Sequence, residues 1–288
     1  MTDGLNRAGI QTGILYLAPS PLGNLGDLTL RVIQMLKEAD LVCAEDTRRA
    51  LKLLNHLDLR KTLLSYREQN HQRVWPKISA VLAGGGQVVL LTDAGAPAVS
   101  DPGAALAAAA RAAGFAVLPL PGPSAVITAL MAAGFSADRF VFAGFLPSRT
   151  GERREFLRSL QRHRWTLVFF ETPHRLAASL ADLADILGPR PALLAREMTK
   201  LHEEYLALDL AALAGEVRAN PRKGEMTIVV EGFKGEEERA DLSMDDLREL
   251  ALNDARPVKV LAAELAEKYG RGRSEMYQLL LAARREAL

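Results

Sequence analysis

The stretch TDAGAPAVSDPG, residues 92–103, places Gly95, Pro97, Pro102 and Gly103 in one short loop directly after the apolar run 88–92. The similar loop PSPLGNLGDLT follows the apolar run ILYLA at residues 14–18. Gly/Pro loops at the ends of buried strands expose backbone groups and suit a flat organic ligand held largely by main-chain contacts. Polar residues crowd the ends of other apolar runs. Glu45, Asp46, Thr47, Arg48 and Arg49 follow 41–44; Tyr66 to His71 follow 62–65; Arg196, Glu197, Met198, Thr199 and Lys200 trail 192–195. Each has a plainer use as well. Asp46 or Thr47 would cap the helix ALKLLNHL, Ser124 would cap the helix after PGPSA, and Asp101 would cap an alanine-rich helix with Pro102 in its first turn.

The elements that must position these residues alternate strand and helix. Short β-prone runs at 14–18, 41–44, 62–65, 88–92 and 115–120 are separated by helical patterns, including 28–39 and a helix ending near Leu82 whose Pro76 predicts a late start or a kink. The Pro/Gly pair in PGPSA, residues 121–125, marks a boundary. Further strands are predicted at 139–143, 166–170, 192–195 and 206–208 and in MTIVVEG, with a helix running to about Leu187 and another over 209–218. Three segments result: an N-terminal α/β domain at 1–121, a second α/β domain at 122–233, and a helical tail at 243–288 beyond the charged linker 234–242. The tail's predicted helices, 244–252, 258–269 and 274–287, include a pair joined by YGRGRSEMYQ with helix-turn-helix spacing.

The 288 residues carry a formal net charge of +1, so whole-chain charge argues neither for nor against nucleic acid. Local charge is more telling: from Arg149 to Arg164 there are six arginines against two glutamates, suited either to a solvated face or to phosphate. The single cysteine, Cys43, excludes a disulfide framework and a Cys zinc site and fits a reducing cytoplasm. Neither an apolar signal core nor a membrane-length apolar run is evident, which predicts a soluble cytosolic protein. A dinucleotide fingerprint, a P-loop, a zinc-protease motif and a serine-hydrolase elbow are all missing, and the five histidines lack metal-ligand spacing.

Eight segments occur in a familiar order: LYLAPSPLGNLGDLT, AEDTRRALKLL, LLTDAGAPAVSDPG, LPLPGPSAVITAL, AGFLPSRTGERR, FFETPHRL, LAREMTKLHEEY and KGEMTIVVEG. Over residues 14–232 the chain resembles the ribosomal-RNA branch of the tetrapyrrole-methylase-like, class III S-adenosylmethionine-dependent methyltransferases. The resemblance implies two α/β domains with mixed sheets, S-adenosylmethionine folded into the cleft between them, and a homodimer. It implies methyl transfer to the ribose 2′-oxygen of a cytidine in the decoding region of 16S rRNA, in the 30S subunit, with no metal. Carried over by position, the cofactor contacts are Pro21; Gly95, Ala96 and Val99; Ser124 and Ala125; Phe170; and Met226 with Thr227. Two departures stand out. Ala96 replaces a threonine found in many members, and residues 66–71 replace a His-x-His-Asn arrangement.

A ribose hydroxyl is a weak nucleophile, so a nearby base helps. Glu45, Asp46 and Glu197 are the candidates, with Lys200 and Arg48 as phosphate or orienting contacts. Arg149, Arg153 and Arg154 of the basic stretch, and Arg271 and Arg273 of the tail, are the further candidate RNA contacts. Two other readings compete: a methylase of a small tetrapyrrole, and a non-catalytic ribosome-associated factor that keeps a degenerate cleft.

Overall fold

The structure is a computed structural model that describes residues 11–235, 246, 247, 249, 250, 254, 256–269 and 272–286. Backbone contacts divide the chain into two units, Met1–Phe233 and Lys234–Leu288. In the first unit β1 (Gln11–Ala18), α1 (Leu30–Glu38), β2 (Leu41–Ala44), α2 (Thr47–His56), β3 (Leu63–Ser65), α3 (His71–Ala83), β4 (Gln87–Leu91), α4 (Ala104–Ala112) and β5 (Phe115–Pro119) build one sheet with its helices. The strand order is β3-β2-β4-β1-β5, and every pairing is parallel. The expectation of two mixed sheets is therefore corrected here. A helical crossover precedes each of β2 to β5, and such crossovers return the chain in the same direction.

The second half is mixed, as expected. It comprises α5 (Ala125–Ala133), β6 (Phe140–Phe145), α6 (Thr150–Ser159), β7 (Thr166–Glu171), α7 (Pro173–Leu187), β8 (Pro191–Arg196), β9 (Glu204–Asp209), α8 (Leu210–Ala219) and β10 (Met226–Val230). Its order is β6-β7-β10-β8-β9; β6 and β7 are parallel, and the other pairs are antiparallel. The central strand β10, MTIVV, is buried throughout and has no polar residue other than Thr227.

Apolar side chains fill both faces of each sheet. On the first, Val32, Leu36, Leu53 and Leu54 cover one face, and Ile78, Leu82 and Leu106 cover the other. Each fully buried side chain of this size contributes about 1.5–3 kcal/mol relative to exposure. On the second, Leu157, Leu176, Leu180, Leu183 and Leu213 form the larger core. The opposite face packs against α5, and Leu22 of the first half joins this cluster beside Val168, Leu193 and Met198. Helix α3 starts at His71 and runs through Pro76, so the expected late start is not seen.

In the second unit, α9 (Val258–Tyr269) and α10 (Arg273–Glu286) pack through Leu261, Leu265, Met276 and Leu280. Much of the predicted linker 234–242 and helix 244–252 lies outside the described residues, as does Arg271. Among the described residues, no helix is long and apolar enough to cross a membrane.

Candidate functional site

Strand β1 sits between β4 and β5, and the chain leaves β1 and β4 in opposite directions across the sheet. Ligands of open α/β sheets bind at such a switch point, beyond the strand carboxyl ends. Both Gly/Pro loops lie there and are tied together: Ser20 N donates to Gly95 O and Gly95 N to Ser20 O, each at 2.9 Å. Thr92 Oγ1 donates to Gly95 O at 3.0 Å from below. Beyond Gly95 the loop turns through left-handed conformations at two non-glycine residues, Ala98 (φ 66°) and Ser100 (φ 61°). Such residues cluster at functional sites because their strain persists only where the surroundings enforce it.

That geometry corrects the capping expected at α4. The helix begins at Ala104, and its N-cap is Gly103, which makes no side-chain cap bond. Gly103 N donates instead to Glu68 Oε1 at 3.0 Å. Asp101 lines a cleft of about 400 Å³ between the two halves. Burial, then the like charges of Glu45, Asp93 and Glu225, push its carboxyl up to about 6. Glu45, on the same cleft, is also raised, first by burial and then by Asp93, with Arg67 and Arg49 opposing. Asp93 is fixed from the other side, accepting from Asp46 N at 3.1 Å and lying 3.5 Å from Arg49 Nε. Asp93, Asp101 and Glu225 were not singled out from sequence as ligand-facing residues.

Of the sequence-derived candidates, the cleft brings together Glu45, Gly95, Ala96, Val99, Ser124, Ala125, Phe170, Met226 and Thr227. Ser124 occupies the N-cap of α5 without a side-chain cap bond. Phe170, next to the last residue of β7, lies beside Thr227, its partner in β10. Pro21 lies instead in an adjoining hollow of about 250 Å³, which shares Leu22, Arg49 and Asp93 with the cleft.

Several polar candidates have other tasks. Asp46 caps α2 by accepting from Arg48 N at 2.9 Å, and it receives Arg48 Nε and Nη2 at 3.1 and 2.8 Å. These bonds bring it down to about 2, and it does not line the cleft. Glu197 braces the cleft wall from behind: its Oε1 accepts from Glu225 N at 2.8 Å and from Lys200 Nζ at 3.0 Å. Burial works against its charge, but these donors hold it below the usual range. A Cβ on Gly224 (φ 100°) would come 2.4 Å from that oxygen, so the wall closes only over glycine. Lys200 reaches Glu225 as well, at 3.1 Å, and its stem lies over Gly23 of the first half. Asp46, Glu197 and Lys200 are thus engaged with other protein groups, and none of the three lines the cleft.

Arg153 is corrected as an RNA contact. It is 3% exposed; its Nε donates to Asp182 Oδ2 at 2.7 Å, and Nη1 reaches Pro147 O and Ser148 O at 3.5 and 3.4 Å. Arg154 holds the other oxygen of Asp182 at 2.7 Å and pairs with Asp185. Arg149 is 82% exposed and pairs with Glu152, and Arg273 is exposed at the start of α10. Among the described residues, no group of His, Cys, Asp and Glu is arranged to hold a metal ion.

A parallel and a mixed sheet meeting at a carboxylate-lined cleft define a two-lobed α/β enzyme. The chain belongs to the tetrapyrrole (corrin/porphyrin) methylase family, whose pattern matches residues 14–214. It is a methyltransferase of that family. It is 42% identical over 273 residues to the ribosomal RNA small subunit methyltransferase I of Escherichia coli O157:H7, covering 93% of this chain and 95% of that one. Against the protein of the same name from Halalkalibacterium halodurans it is 44% identical over 220 residues, 76% of each chain. The resemblance read from the eight motifs therefore holds over most of the chain. Among solved structures, uroporphyrin-III C-methyltransferase from Thermus thermophilus, complexed with S-adenosylhomocysteine, matches 75% of this chain and 97% of its own, with TM-score 0.54 and 20% identity. Diphthine synthase matches 76% of this chain and 90% of its own, with TM-score 0.58 and 15% identity. At these identities the likeness is one of fold.

Proposed function

We propose that this protein transfers a methyl group from S-adenosylmethionine to the ribose 2′-oxygen of a cytidine in the decoding region of 16S rRNA, acting in the cytoplasm on the 30S subunit as a homodimer. The observation that carries the reading is the 42% identity, over 93% of the chain, to an enzyme named for methylating small-subunit ribosomal RNA. In this reading the working units are the two sheet domains, 1–121 and 122–233, and the helical tail 243–288.

The cleft suits the donor. S-adenosylmethionine is a cation with an apolar, flat purine at one end. Asp101, Glu45, Asp93 and Glu225 give it negative charge, and Val99, Ala125, Phe170 and Met226 give it apolar surface. When bound, the donor supplies a methyl group on a positively charged sulfur, a good leaving group. The chain's share is to place the hydroxyl in line with that methyl, where most of the rate gain of such a displacement originates. Asp101 complements the donor's positive charge. Glu45, the sequence-derived carboxylate that lines the cleft, accepts the proton from the hydroxyl.

Asp101→Asn is expected to weaken binding of S-adenosylmethionine by about 10-fold, as removal of a charge-assisted hydrogen bond does. With the carboxyl near 6, wild-type affinity falls as the pH drops from 8 to 5, because the protonated acid no longer attracts a cation. The variant lacks that dependence. Calorimetric titration across this range checks both.

Exposed Arg48, Arg149 and Arg273 are the proposed phosphate contacts. Glutamate at both 149 and 273 is expected to weaken subunit binding and to flatten the slope of log affinity against log salt by about 0.7–0.9 for each phosphate no longer neutralised. Filter binding over a salt series measures it, with donor affinity unchanged.

Labelled S-adenosylmethionine incubated with unmodified 30S subunits, and separately with a reduced tetrapyrrole, tests the reading as a whole. Label on the subunits supports it. Label on the tetrapyrrole alone overturns it, and label on neither favours a binding-only protein.

A further inference from the structure

Strand β6 contains a feature that neither the fold nor the cofactor reading uses. Residues 140, 141 and 142 pair in step with 166, 167 and 168, but the next pair is Phe145 with Phe170. One extra residue has been inserted, and Gly144 takes up the kink at φ 65°. The consequence is a change of face. Val141 and Ala143 point to the α6–α8 core, and regular alternation would send residue 145 there too. The bulge reverses the parity, and Phe145 joins Phe142 on the cleft face, both against Phe170 at ring distances of 5.5 and 4.9 Å. Bulges beside active sites re-aim side chains in this way.

Phe145 is not absorbed by the core it faces. It is 52% exposed and lines the cleft, as does Val99, 38% exposed on the strained loop of the first half. The two segments meet here: a Cβ on Gly144 would lie 3.6 Å from Ser100 Oγ. The Phe145 and Phe170 rings meet in a T-shaped contact at 61°, and about half of Phe145 remains exposed at the cleft. The guanidinium of Arg49, 58% exposed, lines the same cleft. A flat apolar face together with a cation matches the two halves of a nucleotide, base and phosphate.

We propose that Phe145 is the stacking platform for the base of the acceptor nucleotide. The inference rests on the proposed RNA substrate. To bring its ribose into a cleft between two lobes, a nucleotide must leave its neighbours, and its base then lacks stacking partners. An aromatic face restores that stacking without reading sequence. Phe145 is a positioning residue in this account, since it holds the nucleotide whose hydroxyl reacts.

The test uses the full chain with Phe145→Ala, Phe145→Leu and Phe145→Trp, unmodified 30S subunits, and S-adenosylhomocysteine as the probe of the donor site. The expected result is a loss of about 5- to 150-fold in kcat/KM for subunits in the alanine variant, the range that corresponds to removal of a base-stacking aromatic. The tryptophan variant recovers to within a few-fold, the leucine variant does not, and affinity for S-adenosylhomocysteine stays within twofold throughout. Phe145→Leu keeps apolar bulk, so its failure beside a successful Phe145→Trp isolates the flat ring from a packing role. The proposal is overturned if leucine serves as well as tryptophan, if alanine changes nothing, or if donor affinity falls in parallel, which would give the ring to the donor's purine. If wild type transfers no methyl to subunits, the substrate reading itself fails and this inference falls with it.

Discussion

Replacing Glu45 by glutamine is expected to lower kcat for methyl transfer by about 100-fold or more, the lower end of what a positioned general base contributes. Affinity for S-adenosylhomocysteine should change little by comparison. The expectation follows from position. Of the three carboxylates that the sequence offers as bases, only Glu45 lines the cleft. Asp46 is engaged with Arg48, and Glu197 is engaged with Glu225 N and Lys200. Burial and the neighbouring Asp93 raise Glu45 above the ordinary glutamate range, which makes it a better proton acceptor, with Arg67 and Arg49 limiting the rise. The sign for pH follows. Activity is lost on the acid side as Glu45 gains a proton, and that limb lies higher than for an ordinary glutamate. A pH–rate profile of wild type and Glu45→Gln checks this. A variant retaining wild-type kcat would remove Glu45 from proton transfer.

Asp182→Ala is expected to destabilise the fold by about 3–5 kcal/mol, the cost of leaving a buried charge without its partner. Arg153, 3% exposed, would lose its carboxylate within a helix packed on a core, and Arg154 would lose one of its two. For a unit of this size the change corresponds to a fall in Tm of roughly 6–20 °C. Thermal unfolding measures it. Arg153→Met, which removes charge and keeps length, should cost less than Arg153→Ala. A Tm unaltered in Asp182→Ala would show that the pair is solvated and would reopen Arg153 to phosphate.

Arg153 also shows what the sequence hides. The run from Arg149 to Arg164 counts as basic when charges are summed. Arg153, however, stands four residues before Leu157 and seven before Leu160, on the apolar face of α6. That spacing was a readable sign of burial, whereas its partner Asp182, 29 residues away, was not. The strands were legible because their apolar runs are short and bounded, and the site was legible where Gly and Pro punctuate strand ends. Sheet direction was harder to read. The first sheet is purely parallel because every connection is a helix, a point that the pattern of alternation contained. The hairpin from β8 to β9, which makes the second sheet mixed, rests on the short polar connection 197–203. Asp101 resembles a helix cap for a local reason. Its place before Pro102 and an alanine helix is that of a cap, but the distant Glu68 takes Gly103 N and Asp101 lines the cleft. The bulge at Gly144 was likewise invisible, since it is defined by register against β7.

The central claim, methylation of a ribose oxygen in 16S rRNA, is tested most directly by locating the product. Unmodified 30S subunits are treated with the protein and S-adenosylmethionine, the RNA is digested to nucleosides and oligonucleotides, and both are weighed by mass spectrometry. The account predicts one new 2′-O-methylcytidine, in an oligonucleotide from the decoding region. A methyl group on a base, or a modified ribose elsewhere in the RNA, would contradict it.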